Sequence, residues 1–215
     1  MFSISDAAWA RSLSNLRSVA PKVCWVWTLI PHSVAFARKF VPSTYASLGS
    51  RIQFVCDDIA TLPGEQEFDF VFSKDAFEHI LDLTGVVSHI HRLLKPGGRL
   101  VIGTSPLYFS PFGDHAIFSR PRIPWLTAIV PDNILFRFAG WKHNLDLRTA
   151  SDAGLNKMTP AQFRLLFPSS SWQTESIRYN AGAPGPAASV MDRLRKIPLI
   201  EKYFTVSIYS VMVRR

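Results

Sequence analysis

The chain has 215 residues, 47% of them hydrophobic, which is enough for one well-buried α/β domain and too few for two of ordinary size, so a single domain over 1–215 is expected. A net charge of +8 permits contact with nucleic acid or an anionic membrane, but the basic residues are spread along the chain, which argues against a specific nucleic-acid site. Cys24 and Cys56 lie in apolar, strand-like contexts without a CxxC pair or histidine spacing, so buried free thiols are predicted, with no disulfide and no metal site.

That cysteine usage suits a reducing cytoplasm. No apolar run reaches the roughly 20 residues needed to cross a bilayer, because Lys22, Pro31 and His32 bracket the segment VCWVWTLI. A soluble protein is expected. The first 50 residues carry five basic side chains and one acid, Asp6, but no small-residue cleavage pattern follows an apolar core, so a targeting peptide is not predicted. The densest basic group is Arg193, Arg195 and Lys196, with Arg214 and Arg215 at the end. A solvated helix face and a frayed tail account for it most simply, and attraction to lipid headgroups, as in peripheral contact with an anionic membrane, or to a phospho-substrate is the sharper alternative.

Residues 5 to 19 have weak helical character, and Lys22 to Ile30, dominated by Val, Trp and Thr, reads as a strand. A helix is expected over Ser33 to Phe40, bounded by Pro31 and Pro42, and a strand over Arg51 to Cys56. The richest stretch follows. Phe68 to Phe72 is a short apolar run with one charge, as expected for a strand covered on both faces, and Ser73, Lys74 and Asp75 leave its carboxyl end. From Leu83 onward Leu83, Val86, Val87, Ile90, Leu93 and Leu94 form the stripe of a helix lying on a sheet. Lys95-Pro96-Gly97-Gly98 stops that helix, with both glycines expected at positive φ, and Arg99 to Gly103 re-enters the sheet. The whole is a β-α-β crossover, right-handed by the general rule, whose ligand-facing edge lies at Ser73 to His79 and again after Gly103.

Between Ser105 and Gly154 the chain becomes rich in Pro, Phe and Trp with little periodicity, so residues 107–154 are read as a lid of short helices and loops on the substrate side. A purely structural cover would have the same composition. Thr159-Pro160-Ala161-Gln162 is a capping box with proline at the first helical position, predicting a short helix to about Phe167. Trp172 to Asn180 reads as a strand, Ala181 to Ser189 as a loop, Val190 to Ile197 as a helix and Thr205 to Val213 as a final strand.

The segments RIQFVCDDIATLP, FDFVFSKDAFEH and LLKPGGRLVI, in that order and spacing, resemble the class I methyltransferases that use S-adenosylmethionine, specifically the type 11 group. The similarity is firmest over 51–106. It implies a Rossmann-like, doubly wound, mostly parallel sheet whose last strand inserts antiparallel between its neighbours. It implies S-adenosylmethionine as cofactor and a small-molecule methyl acceptor. By the same resemblance Asp58 and the Ile59 amide would meet adenine, and Ser73 and Lys74 would pass beside the methionine part. Asp57 and Asp58 could instead simply cap a turn.

Asp75, Glu78 and His79 would stand at the cleft mouth. Imidazole titrates near neutral pH as a residue type, so His79 is the best candidate general base, although Glu78-His79 could equally serve to fix the loop. His115 is a second substrate-side candidate, while His89 and His91 on the sheet-packing helix read as boundary residues.

One departure lies upstream. The family places a glycine-rich turn after its first strand and an acid at the end of its second, but no glycine precedes Gly49, and Thr28 stands where that acid would be. VWTLIPHSVAFARKF resembles the second strand and its helix. A shortened copy without the first strand, or a Lys22–Ile30 strand moved to the centre, would explain this, and either would weaken cofactor binding. A noncatalytic partner subunit using the aromatic 105–141 region is the alternative of a different class. A nicotinamide-dependent reductase would need the same glycine loop and does not suit these motifs.

Overall fold

The computed structural model describes residues 24–27, 31–44, 52–115, 123–180 and 186–215, which fall into two compact units divided between Leu62 and Pro63. The first contains β1 (Cys24–Trp27), α1 (Pro31–Thr44) and β2 (Ile52–Val55). β1 and β2 pair in parallel, with Cys24 opposite Ile52 and Trp27 opposite Val55, as expected for the second and third strands of the resembled family. Val34 of α1 packs with Phe54 of β2, and Arg38 donates to the Phe54 carbonyl at 2.7 Å. The helix is longer than the prolines suggested. Pro31 is its first residue, where the missing N–H costs nothing, and Pro42 falls in its last turn.

Cys56 is free, as expected, but exposed rather than buried: β2 ends at Val55, so the thiol lies just beyond the paired strand. Residues 5–19, Thr28 and 181–185, and the side chain of Cys24, lie outside the described residues.

The second unit is a four-stranded sheet in the order β3-β4-β6-β5, formed by β3 (Phe68–Lys74), β4 (Leu94–Thr104), β5 (Trp172–Tyr179) and β6 (Ile208–Arg214). β3 and β4 run parallel, joined by α2 (Leu83–Leu93), and β6 lies antiparallel between β4 and β5. The last strand is thus inserted between its neighbours, as the resemblance implied. All six apolar residues predicted for the α2 stripe are buried, each a contribution of about 1.5–3 kcal/mol before entropy is counted. Asp82 caps the helix by accepting from the Gly85 amide at 2.9 Å.

β3 corrects an expectation. Val71 is buried, but Phe70 and Phe72 are 46% and 52% exposed, so the strand is covered on one face and not on both. The register gives the reason. Val71, Leu100 and Met212 line up across the sheet on the buried side, whereas Phe72, Val101 and Val211 share the opposite face, which opens as a shallow groove. The apolar run was read as doubly covered because composition alone does not say which face carries a neighbour.

The Lys-Pro-Gly-Gly turn also differs in detail. Pairing of Phe68 with Leu94 and of Phe70 with Arg99 places these residues in a bulge within β4. Only Gly97 has a positive φ, +77°. Gly98 is required for space instead, since a Cβ there would lie 2.8 Å from the Lys95 carbonyl oxygen.

Within residues 107–154, α3 (Leu126–Ile129) and α4 (Asp132–His143) are helical. They have a core of their own, in which Leu135, Phe136 and Ala139 pack with Tyr108, Ala150 and Leu155. The predicted capping box is present: Thr159 caps α5 (Pro160–Leu165), and the Gln162 side chain returns the bond to the Thr159 amide at 2.9 Å. α6 (Pro186–Leu194) begins earlier than expected, so Pro186 to Ser189 are helical rather than loop, with proline again in the first turn. A short α7 (Glu201–Phe204) precedes β6.

Candidate functional site

β3 and β4 end side by side, with Lys74 opposite Gly103, so the chain leaving each strand is brought together at the carboxyl edge. Asp75 follows β3 in the left-handed region at φ 50°, held by its amide donating to the Gly103 carbonyl at 2.7 Å, and its carboxylate pairs with Lys74 at 3.2 Å. A short 3-10 turn over Phe77–His79 comes next. Phe77 is fully buried and anchors it, which leaves Glu78 and His79 to the site.

Glu78 is only 4% exposed. Its Oε2 accepts from the Thr104 hydroxyl at 2.6 Å, and Oε1 is 3.4 Å from the Ser105 amide. Burial pushes its carboxyl above the usual range for glutamate, and the Thr104 hydrogen bond opposes that shift without cancelling it. Both partners lie at the end of β4. Thr104 continues the buried alternation of Leu100 and Ile102, a period-two signal that is present in the sequence.

The His79 Nδ1 lies 2.8 Å from the Gly154 carbonyl oxygen. A carbonyl only accepts, so Nδ1 carries the proton, and in the neutral ring Nε2 is the basic nitrogen. The His115 ring stands 5.2 Å from the His79 ring, edge to face, and its Nε2 is 3.1 Å from the Pro106 carbonyl. Thus Glu78, His79 and His115, from two different strand ends, form one cluster. His115 has φ 48° and follows the buried Asp114.

Asn156 was not anticipated. Its Nδ2 donates to the carbonyls of Phe77 at 2.5 Å and Ile80 at 2.7 Å, and its amide donates to Glu78 at 2.9 Å. Its Oδ1 accepts from the Met158 amide. One side chain therefore fastens the whole turn from 79 positions away in sequence, a separation that leaves no local pattern to read. His89 and His91 are half-buried, as expected of boundary residues. His91 lies 3.3 Å from the Ser171 carbonyl and 5.1 Å from the Trp172 ring, and burial lowers its pKa.

Ser73 and Lys74 are the last two residues of β3, opposite Ile102 and Gly103, whereas Asp58 and Ile59 belong to the first unit. Asp58 is exposed and caps the 3-10 turn Ile59–Thr61, its Oδ1 accepting from the Ala60 amide at 2.9 Å. Thr61 returns a bond from its hydroxyl to the Asp58 carbonyl at 2.8 Å, and Asp57 accepts from the Asp58 amide at 2.8 Å. The capping role is therefore real, and it fixes the direction of the carboxylate. No group of three or more metal-ligating side chains exists among the described residues.

Residues 9–102 match the family model described as a methyltransferase domain, extending the similarity well upstream of residue 51. A ubiquinone biosynthesis O-methyltransferase of Xanthomonas oryzae pv. oryzae is 30% identical over 131 residues, which are 59% of this chain and 54% of that protein. Phosphoethanolamine N-methyltransferase 2 of Caenorhabditis elegans is 39% identical over 54 residues, 25% of this chain and 12% of that one. The chain thus spans about half, or less, of the curated relatives it matches.

Among solved structures, geranyl diphosphate C-methyltransferase of Streptomyces coelicolor, determined with Mg2+, geranyl diphosphate and S-adenosyl-L-homocysteine, superposes with a TM-score of 0.59 at 13% identity. The likeness covers 95% of this chain and 68% of that one. The inserted antiparallel strand and these structural neighbours agree on the class I S-adenosylmethionine-dependent methyltransferase fold, and over residues 9–102 the chain is similar to the methyltransferase domain.

Proposed function

We propose that this protein transfers a methyl group from S-adenosylmethionine to a hydroxyl or amine of a small-molecule acceptor, with His79 as general base. The observation that carries the reading is the Nδ1 bond to Gly154, which leaves Nε2 as the nitrogen able to take the acceptor's proton. Glu78, Asp75 and His115 form the wall beside it, and residues 107–154 serve as the substrate-side lid. Buried Glu78 holds the turn through Thr104, so His79 is oriented rather than merely present.

Asp58 and Ile59 would hold adenine, and Ser73 and Lys74 the methionine end. The exposed, direction-fixed carboxylate of Asp58 suits the first role, while by the sequence resemblance the neutral Thr28 stands where the family's ribose-binding acid would be, and a hydroxyl offers no bidentate contact. S-adenosylmethionine supplies, when bound, an electrophilic methyl on sulfur.

Calorimetric titration with S-adenosylmethionine and S-adenosylhomocysteine is expected to give micromolar binding, weakened about tenfold by Asp58→Ala, the cost of one hydrogen bond to a charged group. His79→Asn should leave that binding unchanged and lower methyl transfer by about 10²–10⁴-fold. Absence of binding to either compound would replace this reading with that of a noncatalytic, methyltransferase-like partner subunit.

A further inference from the structure

α4 has two faces of opposite use. Leu135, Phe136 and Ala139 are buried against Tyr108, Ala150 and Leu155, while Ile134, Phe138 and Trp141 point outward at steps of four and three. Trp141 is 80% exposed, more than almost any other large apolar side chain described, and its ring lies 5.8 Å from that of Phe138. Ile129 and Leu145, just before and just after the helix, are exposed as well. Burying such side chains is favourable, so an outward stripe of Ile134, Phe138 and Trp141, with Ile129 and Leu145 also exposed nearby in sequence, calls for a covering medium.

The surrounding charge identifies that medium. Arg137 and Lys142 are exposed, one on each side of the Ile134-Phe138-Trp141 stripe at 100° per residue. Three acids of the region have partners within the fold, Asp152 accepting from the Arg148 and Thr149 amides. Asp132 faces inward, accepting from the Tyr108 hydroxyl at 2.7 Å and pairing with Lys157, and Asp146 pairs with Arg148 at 3.2 Å. The outward face is apolar at its centre, with Arg137 and Lys142 exposed at its rim. The denser basic group of the sequence makes contacts within the fold: Arg195 bonds Asp192 at 2.6 Å and lies over the Tyr179 ring, and Arg214 donates to the Arg92 and Leu94 carbonyls.

We infer that the outward face of α4 docks on an anionic lipid surface, with Trp141, Phe138 and Ile134 entering the headgroup boundary and Arg137 and Lys142 engaging lipid phosphates. Aromatic and aliphatic side chains between cationic flanks are the pattern of a helix lying in the plane of a membrane interface, and each basic group adds attraction to a negative leaflet. A net charge of +8 acts in the same direction at longer range. This inference does not depend on methyl transfer.

The test is cosedimentation of the full chain with vesicles of phosphatidylcholine alone and of phosphatidylcholine with about one-third phosphatidylglycerol. Binding at least about tenfold stronger to the anionic vesicles, weakening as salt is raised, is expected. Phe138→Ser with Trp141→Ser should lose about tenfold or more of it while the circular dichroism spectrum and thermal transition stay as in the parent, because both side chains are exposed. Arg137→Glu with Lys142→Glu should abolish the preference for anionic lipid. Failure of the parent to bind, equal binding by the double serine variant, or a dimer in light scattering that this variant dissolves would each overturn the inference, the last by assigning the face to a second copy of the chain.

Discussion

Two short 3-10 turns follow strands in this protein, and they are built in opposite ways. Phe77–His79 after β3 is anchored by a buried phenylalanine, a buried glutamate and bonds to Thr104, Gly154 and Asn156, all at least 26 residues away. Ile59–Thr61 after β2 is exposed and held by bonds that span three residues or fewer. The first turn is as rigid as the unit that clamps it, and the second is only as rigid as its own cap. The general-base role proposed for His79 needs an aimed side chain, which the clamped turn provides. The adenine contact proposed for the other turn can be ordered by the ligand itself.

The contrast breaks most visibly at Asn156. Asn156→Ala removes both donors to the Phe77 and Ile80 carbonyls and leaves them partly buried without that partner, so a loss of about 2–3 kcal/mol is expected from denaturant unfolding. The His79 ring should also lose its fixed tautomer, which nitrogen chemical shifts of the imidazole report directly. Unchanged stability would mean that the turn is held by Phe77 alone.

Glu78 sharpens the comparison through pH. Its carboxyl titrates above the ordinary value of 4.5, so over the interval between that value and the raised one the folded chain keeps a proton that the unfolded chain has released. Stability therefore falls as pH rises through that window. Glu78→Gln keeps an acceptor for Thr104, removes the slope, and should be the more stable protein on the alkaline side. Glu78→Ala leaves the Thr104 hydroxyl unpaired and should cost about 1–3 kcal/mol at any pH. Parallel stability curves for the parent and Glu78→Gln would show that burial does not perturb the carboxyl.

Much of this was legible in sequence, and the residues show why. The α2 stripe, the Asp58 cap and the Thr159 box rest on spacings of four residues or fewer, which physics imposes locally. The exposed Phe70 and Phe72 were misread because coverage of a strand depends on what lies above it, not on its own composition. Cys56 escaped burial by one residue of strand length. Glu78, His79 and His115 were singled out in sequence, and the structure brings the His79 and His115 rings within 5.2 Å of each other. Asn156 and Gly154 were not, since their role arises only when a segment more than 70 residues downstream folds back on the turn.

The smallest expected effect lies on the locally held turn and completes the contrast. Asp58→Ala removes one cap on an exposed 3-10 turn, where the freed Ala60 amide can bond water, so a cost of about 0.5 kcal/mol is expected, at the low end for such caps. Asp58→Asn keeps an oxygen for the Ala60 amide and should restore that half kilocalorie while losing the charge. If the carboxylate serves only as a cap, asparagine and aspartate will be equivalent in every measurement. If it also accepts from adenine, Asp58→Asn will match the parent in thermal unfolding yet bind S-adenosylhomocysteine more weakly, and the divergence of those two readouts separates the structural role of this turn from its ligand-binding one.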